Sequence, residues 1–128
     1  MKLAKDDLEA IVTAVLAVNR YSLEKAYDLL PALRKAGLTQ PDKVAAMEIE
    51  TLITGLFQAG YQRGGLMEMM AGRFMSLMQA VNAGKVDPLG GLIKRGDTDE
   101  ATELLCTIKG IGPSVAATAI QLIKSVPK

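Results

Sequence analysis

The chain has 128 residues, 49% hydrophobic and 4% aromatic, with 15 basic and 14 acidic side chains for a net charge of +1. That is enough apolar material for one packed domain. There is no histidine and a single cysteine, Cys106, which excludes an intramolecular disulfide and a four-cysteine iron–sulfur cluster and removes the commonest zinc ligand. No window reaches the apolar length of a membrane span, and the acids in Leu3-Ala4-Lys5-Asp6-Asp7 argue against a signal peptide, so a cytoplasmic protein is expected.

Ala, Leu, Met and Gly dominate and β-branched runs are short, which predicts an all-α fold, a single compact multi-helix domain over 1–128. Leu8, Ile11, Val12, Val15, Leu16 and Val18 predict a helix over 6–19, with Asp6, Asp7 and Glu9 at its positive end. Ser22 can cap a second helix through Leu30. Pro31 is expected to end or kink that helix before a short turn to Lys35, and Gly37 suits a helix end. Thr39 and Pro41 open a helix to Met47, and another is predicted over 49–58, closing at Gly60. Tyr61 begins the longest periodic segment, with Leu66, Met69, Met70, Phe74, Leu77, Met78 and Val81 on one face and Gly84 at its end. Its methionines read as compliant core filler. Gly64, Gly65 and Gly72 weaken this helix if they lie inside it; they can also allow a close helix crossing, or the first two can delay the start. Residues 86–96 are the loosest stretch, with one helical turn at Leu89, Leu92 and Ile93. Asp97 is expected to cap the next helix, with Glu100 as its reciprocal partner.

That helix carries Ala101, Leu104, Leu105 and Ile108 into the turn Gly110-Ile111-Gly112-Pro113, and a last helix runs from Pro113 to about Lys124. Gly110 and Gly112 permit backbone angles that other residues resist and leave room for close approach. Ile111 can point back between the helices, and Pro113 suits a first helical position. The N–H groups of Gly112, Ser114 and Val115 would then face outward at the positive end of a helix dipole, an anion site for which a DNA phosphate is the obvious occupant. Residues 51–128 carry eight basic and six acidic side chains, and Lys94, Arg95, Lys109, Lys124 and Lys128 are expected near or within this region. An imbalance that small predicts weak, salt-sensitive DNA affinity.

Lys109-Gly110-Ile111-Gly112-Pro113-Ser114 looks like the turn of a helix-hairpin-helix motif, here spanning 99–124, and resembles that of the helix-hairpin-helix DNA glycosylase superfamily. The likeness extends along the chain. Residues 15–26 are similar to the family's opening helix–turn–helix, Gly37-Leu38-Thr39-Gln40-Pro41 to its "G-L-T-x-P" segment, and Leu52-Ile53 through Gly60-Tyr61 to the turn before its long helix. The resemblance implies the helical core of such a glycosylase and sequence-independent binding of one strand of double-stranded DNA. The phosphate-binding residues would be Lys109, Gly110, Ile111, Gly112, Ser114 and Val115, with Na+ or K+ at the carbonyls of Ile108 and Ile111.

The departures bear on activity. The family's catalytic Asp falls beyond the hairpin helix, past Lys128. The nucleophilic Lys of its bifunctional members aligns with Ser114, and a Gln that fills the gap left by a flipped base aligns with Val18. Asp97, Asp99, Glu100 and Glu103 are explained by capping and solvation, so no catalytic residue is assigned. The expectation is a DNA-binding protein on a truncated glycosylase core, without its own catalytic residues. The alternatives are a base-excision enzyme completed by a partner chain or a second copy covering the truncated core, and a non-catalytic protein-interaction module whose hairpin is only a corner.

Overall fold

The computed structural model describes residues 3–18 and 21–125. Among them there are only helices and turns: α1 (Lys5–Leu16), α2 (Leu23–Asp28), α3 (Leu30–Lys35), α4 (Pro41–Ala45), α5 (Ile49–Gln58), a 3-10 turn (Gly64–Leu66), α6 (Met67–Asn82), α7 (Leu89–Lys94), α8 (Thr98–Cys106) and α9 (Pro113–Ser125). The all-α expectation holds. No helix among the described residues is long and apolar enough to cross a membrane.

The organising element is α1. Every residue from Asp7 to Leu16 is buried, so this helix has no solvent face at all over that length. Ile11, Val12, Val15 and Leu16 are at most 1% exposed, and burial at that level stabilises by about 1.5–3 kcal/mol per side chain. The polar residues inside it are matched: the Thr13 hydroxyl donates to the Glu9 carbonyl, and Arg34 of α3 donates from Nε and Nη2 to the two Glu9 carboxylate oxygens at 2.7 and 2.6 Å. α9 packs along α1 most extensively, and α2 and α6 cover other sides. Leu122 and Ser125 of α9 share a hollow with Asp6, Glu9 and Thr13 of α1, so the two helices run antiparallel. α6 supplies Met67, Met70, Phe74, Met75, Leu77 and Met78 to the core, which bears out the filler reading of its methionines, while Met69 stands 40% exposed.

Several local expectations hold and several do not. Ser22 caps α2 by accepting from the Lys25 N–H. Gly37, at φ +78°, ends α3, with the Leu38 N–H reaching back to Leu33. Gly64 and Gly65 do delay the long helix, which starts at Met67 after the 3-10 turn. The helix does break just before Pro31, with α2 ending at Asp28, but the expected turn to Lys35 is helix α3, whose first turn holds Pro31, where its missing N–H is harmless. Thr39 does not open α4 as a cap, since the N-cap position is Gln40 and no side-chain bond forms there. Gly72 allows no close crossing, because a Cβ there would meet open space. The Asp97–Glu100 box is absent: Asp97 makes no cap bond to α8, and its carboxylate instead accepts from Arg95 at 3.3 Å.

Candidate nucleic-acid interface

α8 and α9 are the two arms of a helical hairpin, and residues 107–112 join them. α8 ends in overlapping turns, with the N–H groups of Thr107 and Ile108 bonded to Leu104 and Leu105. One further bond closes the corner, from the Ile111 N–H to the Ile108 carbonyl at 3.0 Å. Ile111 is 6% exposed and joins the core, which fixes the turn from inside. Only one of its two glycines needs to be glycine for backbone reasons. Gly110 has φ +94°, and a Cβ on it would lie 2.6 Å from Cγ of Arg73. Gly112 does not adopt positive φ, and a Cβ there would meet nothing within 4 Å. Its role is to keep the outside of the turn bare.

The backbone of the turn leaves several of its leading amides without acceptors. The Gly112 carbonyl accepts from Ala116 N–H at 2.9 Å and starts α9. Among the described residues, the N–H groups of Gly112, Ser114 and Val115 have no acceptor. Gly112, Pro113 and Ser114 are exposed and Val115 is half-buried. Three donors at the positive end of a 13-residue helix are therefore left without acceptors. The Ile111 carbonyl accepts no bond from a described residue, whereas the Ile108 carbonyl already holds the Ile111 N–H. Neutral carbonyl oxygens are donors suited to a monovalent cation, and Ile111 is the freer of the two.

The charges around this corner differ from the expected set. Lys109 is exposed at the turn. Lys124 is not near it: its Nζ lies 3.5 Å from Thr98 Oγ1, at the opposite end of the α8–α9 pair. Arg95 pairs with Asp97 just before α8, at that same far end, with Lys94 beside it on α7. Lys128 lies outside the described residues. Asp97, Asp99 and Glu100 also stand at the start of α8, a helix length away from the turn. Three of the four carboxylates considered above thus lie away from the candidate anion site, and Glu103 lies further along α8, toward the turn.

Two arginines that the sequence reading passed over do reach this end. Arg73, the one basic residue in α6, lays its aliphatic stem against Gly110, and its guanidinium bonds to no described residue. Arg63 donates from Nη1 to the carbonyls of Leu16 (3.4 Å) and Val18 (2.9 Å) and to the Tyr61 hydroxyl (3.1 Å). Its guanidinium carbon lies 4.9 Å from the Tyr21 ring centre and 5.7 Å from that of Tyr61. Tyr61 is fully buried and donates to the Leu16 carbonyl at 2.9 Å. Burial holds its phenol pKa above the ordinary value, so the hydroxyl remains a neutral donor at physiological pH. A signal for Arg73 existed: it lies between Met70 and Leu77 at i−3 and i+4, on the edge of the buried stripe, where a cation must lay its stem on a neighbour.

Comparison with known proteins adds no assignment: no family model, no curated protein and no solved structure matches this chain.

Proposed function

We propose that the 109–115 turn binds the phosphate backbone of double-stranded DNA, and that the protein does so as a glycosylase-like helical core without base-removal chemistry of its own. The observation that carries this reading is the set of three amides, Gly112, Ser114 and Val115, left without acceptors where α9 begins. Backbone donors of this kind match phosphate oxygens and carry no base information, so binding is weakly dependent on sequence. The Lys109 ammonium and the Arg73 guanidinium add long-range attraction, and the Ser114 hydroxyl adds a neutral donor. A monovalent cation on the Ile111 carbonyl would place further positive charge at the same corner. Absence of catalysis is proposed because Ser114 takes the place of an amine nucleophile and Asp97, Asp99 and Glu100 stand at the far end of the hairpin.

The test is fluorescence anisotropy of a mixed-sequence duplex at several salt concentrations. A contact with two or three phosphates gives a slope of log K against log salt of about −2 to −3. Gly112→Leu, which fills the open side of the turn, is expected to weaken binding by at least about tenfold, the loss of roughly one charge-assisted hydrogen bond. No binding at low salt, or equal binding by Gly112→Leu, removes the reading. Incubation with duplexes carrying uracil, alkylated or oxidised bases is expected to leave every base in place; base release would replace the non-catalytic reading with the enzymatic one.

A further inference from the structure

At the far end of α1 from the turn, a cleft of about 610 Å³ opens between the first turn of α1, the 39–42 segment and the end of α6. That is the size range, roughly 300–1,000 Å³, in which small-molecule sites are found. Its walls combine apolar side chains with the polar groups of Lys5, Arg34, Thr39, Asp42 and Asp87.

Thr39 is the informative residue. It is 7% exposed, and its hydroxyl bonds to no described residue. A hydroxyl that deep normally has a partner. It is not sealed away, because no fully enclosed polar side-chain atom in the structure lacks a partner. The cleft is the one hollow that Thr39 lines among those found. A hydroxyl thus stands at the cleft wall with its bonding capacity unused. Arg34 points the same way: Nε and Nη2 go to Glu9, while Nη1 bonds to no described residue, and the side chain is 45% exposed. Glu9 orients this guanidinium in the manner of a supporting group behind a binding residue.

Arg34 is paired with Glu9, but the other charges that line the cleft are not paired with one another. Lys5, Asp42 and Asp87 form no ion pair among the described residues, although all three line the same hollow. Arg34 reaches Glu9 from α3. The Asp87 carboxylate lies beside Gly84, where a Cβ would be 3.1 Å from its Oδ2. A cleft whose lining carries both cations and carboxylates complements a ligand that is itself positive at one end and negative at the other.

We propose that this cleft binds a small zwitterion of the α-amino acid class, with its carboxylate toward Lys5, Arg34 and the Thr39 hydroxyl and its ammonium toward Asp87 and Asp42. The site is independent of the DNA reading, since it lies beyond the opposite end of α1. The experiment is amide-resolved NMR titration of the full chain with single free amino acids, their N-acetyl and C-terminal amide forms, and nucleoside monophosphates. At least one free amino acid is expected to shift signals of residues 5, 39–42 and 82–87 saturably. Blocking either charge should weaken it by at least about tenfold, and Thr39→Val should do the same. Lys5→Gln, at an exposed position that leaves folding intact, should weaken binding as well. No saturable shift from any free amino acid overturns the proposal. So does tighter binding of a nucleotide, binding that survives N-acetylation, or a Thr39→Val chain that binds as the parent does.

Discussion

The two ends of α1 treat charge in opposite ways. At the amino end, opposite charges meet: Arg34 closes on Glu9, and the other ion pair among the described residues, Arg95–Asp97, lies on this same side of the α8–α9 hairpin. At the carboxyl end, cations meet neutral groups. Arg63 is held by the carbonyls of Leu16 and Val18 and by two tyrosine rings, and Arg73 leans on a glycine. Formal charge is nearly balanced over the whole chain, yet the carboxyl end keeps arginines on carbonyls, rings and backbone beside three open amides. Net charge therefore says little about where an anion can dock; the pairing pattern says more.

The largest effect that would break this comparison is at Arg63. Arg63→Met removes the charged donor from two carbonyls and a phenol, and unfolding free energy is expected to fall by about 2–3 kcal/mol in urea titration. A loss no larger than that of an ordinary surface substitution would mean that the cation does not hold this end together. Next is the contrast between the two glycines of the turn. Gly110→Ala forces a side chain into positive φ and against the Arg73 stem, for a loss of about 2 kcal/mol. Gly112→Ala should change stability by less than about 0.5 kcal/mol. Combining Gly110→Ala with Arg73→Ala should recover only part of the loss, since the backbone strain remains.

Smaller effects sharpen the amino end. Arg34 holds the Glu9 carboxyl below its ordinary value of 4.5. The unfolded chain therefore binds the proton more readily, and the stabilisation is fully present above that value and lost as pH falls through the lowered one. Glu9→Gln should cost about 1 kcal/mol at neutral pH, a modest figure because solvent reaches Arg34. Thermal unfolding curves of parent and variant should converge as pH drops below 4.5. A constant gap across that window would show that the ion pair contributes nothing. Smallest of all is Arg73→Gln, with a stability change under about 0.5 kcal/mol but a salt slope for DNA shallower by about 1 if the guanidinium meets a phosphate.

The helices were legible where periodicity and punctuation agree. α5 has the bounds that its apolar spacing and Gly60 suggested, and the α8–turn–α9 segment follows from Gly110, Gly112 and Pro113. Proline was ambiguous in principle: the geometry that stops one helix starts another, and at Pro31 both outcomes hold, α2 stopping at Asp28 and α3 starting at Leu30. The Asp97 cap was also reasonable locally, but Arg95, two residues away, draws the carboxylate off α8. What the sequence could not supply was the meeting of distant segments. Nothing local to Arg73 says that Gly110 will lie beneath it, and nothing around Thr39 says that its hydroxyl will be left without a bond. Both depend on how α6 and the 39–42 segment settle against the rest, which is a property of the packed whole.

Because α1 is enclosed on every side from Asp7 to Leu16, it cannot loosen without dismantling its neighbours. Its amide protons should exchange with deuterium only when the entire chain opens, and their exchange rates under fast-reclosing conditions would report the global unfolding equilibrium directly. The short, half-exposed α2 and α4 should lose theirs through local fraying, orders of magnitude sooner. The ladder of exchange times would then run from the periphery inward, with α1 as its slowest rung.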